Sequence, residues 1–174
     1  MPEGTMSRDE LERRLADLRR GALPPSETYH TIHQFGRAHF LEARPDVERF
    51  LTDDDPELRY IALEVLTTHW RLPEHWETAR HFLEQDPFDG NRILGASALE
   101  SLKQDTRDRP TLAVLARVVR NEQERRMVRE AAYIAMQGII HYDPRAQFNL
   151  SATGVNLAHD VDWALVDSYL PVSE

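Results

Sequence analysis

The chain has 174 residues, of which 41% are hydrophobic and 29% charged, the composition of an ordinary globular domain. Thirty acidic residues against 21 basic ones leave a formal charge of −9, which opposes use as a nonspecific nucleic-acid binder because phosphate contacts need a basic surface. There is no cysteine, which excludes disulfides, thiolate metal sites and thiol nucleophiles together; no apolar run reaches the ~18 residues of a membrane span, and no signal-type stretch occupies residues 1–20, so a cytoplasmic protein is expected.

The first element is marked by Ser7 and Glu10, a capping-box spacing in which the hydroxyl accepts a free backbone N–H and the carboxylate reaches back. Leu11, Leu15 and Leu18 follow at helical spacing, and Gly21 stands where a left-handed residue would end the helix. Pro24 and Pro25 break the pattern, and Ser26 is the expected cap of a second helix carrying Tyr29, Ile32, Phe35 and Phe40. His30 and His33 share a face of it, as two metal ligands would, but no third ligand is marked.

From residue 45 the chain repeats itself. Segments open at Pro45, Pro73 and Pro110, each proline suiting a first helical turn. Val47, Phe50 and Leu51 then match Ala79, Phe82 and Leu83, and these match Leu115, Val118 and Val119. After a polar turn a second helix follows each time, with Arg59, Ala62 and Leu66 corresponding to Arg92, Gly95 and Leu99 and to Arg129, Ala132 and Met136. These columns form one apolar stripe, and the small column Ala62, Gly95, Ala132 is where a neighbouring helix can come close. His69 falls in the same stripe, opposite Leu102 and Ile139, and is expected in the core; His75 and His81 are expected at the surface. The run from Asp53 to Asp55 is read as turn and helix cap, since Leu58 stands where a calcium-binding loop needs glycine.

Paired helices that cannot bury both faces alone must stack on their neighbours. The run from Phe50 to Leu66, with Asp53, Asp55-Pro56, Leu58-Arg59, Ala62 and Leu66, resembles the HEAT-type repeat family, with looser units over Trp76–Leu102 and Leu112–Ile140. The resemblance implies an all-α fold, an α–α superhelix of about four helical hairpins in one domain: N-terminal helices over 1–44, three repeats over 45–141, and a tail over 142–174 with a short capping helix. It also implies a structural ladder between turn acids and helix arginines, involving Asp53, Asp55, Arg59, Asp86, Arg92 and Arg129. In the family the second helices line the inner surface, which makes Tyr60, Glu64, Glu100, Tyr133 and Gln137 the expected protein-binding residues.

Charge is distributed unevenly: residues 45–110 hold fifteen acids against eight bases, while Arg117 to Arg129 form a small basic run. No hydrolase, P-loop or dinucleotide motif is present, so no catalytic residue, cofactor or metal is assigned. The expectation is a noncatalytic adaptor, scaffold or inhibitor that holds another protein, basic or peptide-like, through its acidic units. The resemblance leaves two alternatives: an enzyme of the DNA-glycosylase or bilin-lyase type, and a bacterial immunity-type or regulatory protein. In the tail, Asp160 is expected to cap a helix with Trp163, Val166 and Leu170 on one face, either docked on the last repeat or offered to a partner.

Overall fold

A computed structural model describes residues 6–145 and 154–171, and among them all regular structure is helical. The chain divides into two compact units between His75 and Trp76.

The first unit opens with α1 (Arg8–Arg19) and α2 (Pro25–Arg37). The capping box forms as its spacing predicts: the Ser7 N–H donates to Glu10 Oε2 at 2.9 Å, and Gly21 adopts φ +64° past the helix end. The start of α2 differs from expectation. Pro24 is the N-cap and Ser26 lies inside the helix, because a proline at N1 is already set to helical φ and needs no side-chain cap. Phe40 lies beyond α2 yet is buried, stacked at 5.5 Å on Phe35.

Helix α3 (Arg44–Glu48) continues as a 3₁₀ turn (Arg49–Thr52), and the Asp55 carboxylate caps α4 (Pro56–Glu64) by accepting from the Glu57 N–H at 2.9 Å. Helix α4 ends in a π-helical turn, Val65–His69, where the Trp70 N–H reaches the Val65 carbonyl at 2.9 Å. This turn corrects an expectation. A π turn takes up one extra residue, so the stripe position that a regular helix would give His69 goes to Trp70, which is buried, while His69 is only half-buried.

The second unit contains the hairpin α5 (Trp76–Gln85) with α6 (Asp89–Lys103), the hairpin α7 (Arg109–Arg120) with α8 (Arg126–Ile140), and the short α9 (Trp163–Asp167). Each hairpin packs internally, α6 also packs along α8, and α9 rests on α7.

Most positions of the columns read from the sequence are buried, while Phe50 and Leu51 are only partly so. Ala62, Leu66, Leu99, Ala132 and Met136 are fully buried, as are Val47, Ala79 and Leu115 on the first helices. At Gly95 a Cβ would stand 2.5 Å from the Leu83 nitrogen and 2.8 Å from the Ala79 oxygen, so α5 and α6 touch through their backbones. The buried arc is wider than one stripe, however. Leu63, Thr67, Ala96 and Tyr133, outside the apolar stripe in the sequence, are buried as well. The second helices have neighbours on two sides: α4 meets α2 as well as the 3₁₀ turn, and α6 and α8 meet each other as well as their hairpin partners.

The three repeat arginines share one local role. Arg59 donates to the carbonyls of Asp53 and Asp54 at 2.9 and 3.1 Å, Arg92 to Leu83 at 3.0 Å, and Arg129 to Val119 at 2.8 Å. Each guanidinium thus satisfies carbonyls left over where the preceding helix ends. Arg92 additionally forms a two-pronged pair with Glu124 in the turn of the next hairpin. Among the turn acids, Asp86 is buried and accepts from the Phe88 N–H at 2.9 Å and the Asn91 amide at 3.3 Å, which explains how a polar Asn91 sits at an apolar column.

Candidate functional site

Each unit carries a half-buried carboxylate on a second helix, Glu64 on α4 and Glu100 on α6.

In the first unit, Gly36 lets α2 approach the π turn: a Cβ there would stand 2.7 Å from Val65 Cγ2 and 3.0 Å from the His69 ring. That approach brings the His33 and His69 rings into an edge-to-face pair with centroids 5.8 Å apart. Burial lowers the His69 pKa, opposed by the Glu64 charge and reinforced by His33, Arg37 and His39. Tyr29, four residues before His33, and Tyr60, four before Glu64, both have raised hydroxyl pKa values, first through burial and then through the Glu64 carboxylate. The Glu64 charge thus acts on two phenols, Tyr29 and Tyr60, and on the His69 imidazole. Glu64 makes no hydrogen bond or ion pair among the described residues.

The histidine pair differs from the one the sequence suggested. His30 is exposed, and His33 faces His69 instead. Among the described residues no three histidine or carboxylate side chains stand where they could share a metal ion. His75, expected at the surface, is buried, its Nε2 3.1 Å from Glu48 Oε1, whereas His81 is exposed as expected.

In the second unit, Glu100 on α6 is the second half-buried carboxylate without a hydrogen bond or ion pair among the described residues. Burial alone pushes its pKa up to about 7. The native state therefore holds this proton more tightly than the unfolded chain does. Stability that is intact below about pH 4.5 is lost as pH rises toward 7 and stays lost above it. Glu100→Gln should accordingly raise the stability of the second unit by on the order of 2 kcal/mol at pH 8 and leave it unchanged near pH 4. Urea unfolding at the two pH values checks this, and an equal effect at both would locate the gain elsewhere.

Gln137, one of the expected binding residues, is half-buried on α8. Tyr133 is not open to a partner. It is buried beneath the tail, its hydroxyl donating to the Asp160 carbonyl at 3.2 Å and accepting from the Asp162 N–H at 3.1 Å. Sequence reasoning had no signal for this, since the contact spans 29 residues and is made to backbone. The cap of α9 is Asp162, which accepts from the Leu165 N–H at 3.0 Å, and not Asp160, whose carboxylate accepts from the Asn156 N–H at 2.7 Å.

The arginines of the basic run each have a partner within the second unit. Arg117 lies 3.7 Å from Glu84, Arg120 binds Asp167, Arg125 lies 3.8 Å from Asp89 and Arg126 binds Glu130 at 2.5 Å, while Arg129 holds its carbonyl. These are surface pairs: the Arg125 and Arg126 side chains remain 76% and 73% exposed.

Compared with family models, with curated proteins and with solved structures, the chain matches none of them.

Proposed function

We propose that the chain is a HEAT-like interaction module, a noncatalytic adaptor or inhibitor that binds a basic, peptide-like segment of another protein through its acidic second-helix faces. The observation that carries this reading is the state of Glu64 and Glu100. The two carboxylates are partly stripped of water and have no partner within the described chain. A buried acid is costly unless a cation is supplied. A lysine or arginine from outside would supply it, and Tyr29 and Tyr60, whose hydroxyl pKa values the Glu64 charge raises, add ring faces of the kind that attract such cations.

The repeat reading is supported by the columns shared among the second helices, by the recurrent arginine-to-carbonyl bond and by the packing of α6 along α8. A nucleic-acid enzyme is disfavoured by the formal charge of −9, which opposes phosphate contacts.

The test is affinity capture with the native chain beside Glu64→Gln/Glu100→Gln, which keeps side-chain size and removes charge. A basic protein should be retained by the native chain and lost from the double variant, and raised salt should release it. Retention that ignores both salt and the substitutions would sink the proposal. Because Glu100 must ionise to hold a cation, affinity should also climb as pH rises from 5 to 8.

A further inference from the structure

The tail of the second unit is held in the manner of a bound peptide. Helix α7 carries three arginines, Arg109, Arg117 and Arg120, and no acid, in a chain whose overall charge is strongly negative. Residues 155–171 carry three aspartates and neither lysine nor arginine. The two are brought together in the fold.

Arg120 makes the central contact. Its guanidinium lies 4.3 Å from the centre of the Trp163 ring, and its Nε and Nη2 donate to the two Asp167 oxygens at 2.6 and 2.5 Å. One side chain thus reads a tryptophan and an aspartate four residues apart, which is one face of one helical turn. Arg109 repeats the arrangement on a smaller scale, 5.6 Å from the Tyr169 ring and 3.4 Å from the Ser168 carbonyl. Tyr133 engages only backbone, at Asp160 and Asp162. Val155, Val161 and Val166 are buried, and Leu157, Leu165 and Leu170 are half-buried.

Helix α9 has five residues, far fewer than an isolated helix needs in water. Its helical form is therefore imposed by the surface beneath it. The Arg120–Asp167 pair is meanwhile about half exposed on both sides, so salt and competing groups can reach it.

We infer that the α7–α8 surface is a receptor for an acidic helical segment of a partner protein, one presenting a tryptophan and an aspartate four residues apart, and that residues 155–171 are its resident competitor. Being tethered, the tail acts at high effective concentration, so a partner must match its chemistry closely to displace it. This site has the opposite charge preference to the Glu64 and Glu100 faces and does not depend on them.

The probe is a fluorescein-labelled synthetic peptide of residues 155–171, titrated by anisotropy into full-length chains. The native chain should bind it weakly, because its own tail is in place. Trp163→Ala/Asp167→Asn, which loosens the resident tail, should bind at least about tenfold tighter. Adding Arg120→Ala in that background should abolish the gain, and a peptide with asparagine in place of Asp167 should bind weakly to every chain. The inference is overturned if the double variant binds no tighter than the native chain, or if Arg120→Ala leaves the gain intact. Should the double variant fail to fold, Asp167→Asn alone, a substitution at an exposed position, carries the same comparison, and an unchanged affinity overturns the inference equally. A concentration-dependent dimer in which tails exchange between copies would assign the surface to a second copy of this chain and overturn the partner reading.

Discussion

Gly95→Ala is expected to destabilise the second unit by about 3 kcal/mol, well beyond the small gain that alanine brings to a helix interior. The new methyl would stand 2.5 Å from the Leu83 nitrogen, 2.8 Å from the Ala79 oxygen and 2.9 Å from the Leu83 Cα. All three are backbone atoms of α5, so no side chain can swing aside to make room. The helices would have to separate, and every contact between Phe82, Leu83, Ala98 and Leu99, buried side chains on the two helices, would loosen with them. Urea denaturation followed by circular dichroism measures the loss. A variant as stable as the native chain would show that α5 and α6 do not meet at this distance. Gly21→Ala provides the contrast: nothing lies within 4 Å of a Cβ there, and its cost comes only from the positive φ, on the order of 1 kcal/mol.

Arg92→Ala should cost about 3 kcal/mol, more than the exposed ion pairs of this chain contribute. Only 18% of the Arg92 side chain and 8% of Glu124 remain exposed, so removal of the arginine leaves a nearly buried carboxylate without its cation. The carboxylate keeps one hydrogen bond, from the Arg125 N–H at 2.7 Å, which limits the damage. The substitution also strands the Leu83 carbonyl at the end of α5. A double-mutant cycle with Glu124→Gln separates the two parts: coupling of 1 kcal/mol or more belongs to the ion pair, and the remainder to the carbonyl. Arg8→Ala, whose pairs with Glu12 and Glu42 lie in solvent, should leave the urea midpoint unchanged.

Much of the helical architecture is legible one residue at a time. The capping box at Ser7, the left-handed Gly21, the Asp55 cap and the apolar columns of the second helices all depend on spacing along one element, and spacing is what a sequence displays directly. The small column is legible for the same reason, since Gly95 marks a close approach whichever helix makes it. Ser26 misled because two neighbouring prolines start α2 without a side-chain cap. His69 misled because a π turn displaces the register by one residue, and the periodicity assumed by a stripe has no way to register a single inserted residue.

The candidate site divides along the same line. That Tyr60, Glu64 and Glu100 lie off the apolar stripe follows from residue order, as does the excess of acid over 45–110. Which of those positions stay open is a matter of what packs beside each helix. Tyr133 is covered by a tail 27 to 29 residues away, Leu63 and Ala96 are buried in helix packing, and Glu64 and Glu100 alone are left as half-buried acids without partners among the described residues. Most of the helices, most of their apolar columns and the place of the surplus charge can be read in residue order, because those depend on local periodicity and composition. Which charges are satisfied is settled by packing between distant elements, since Arg92 meets Glu124 across 32 residues and Arg120 meets Asp167 across 47. Solvation and pairing of a charge are properties of everything that surrounds it, and those surroundings exist only once the chain has folded.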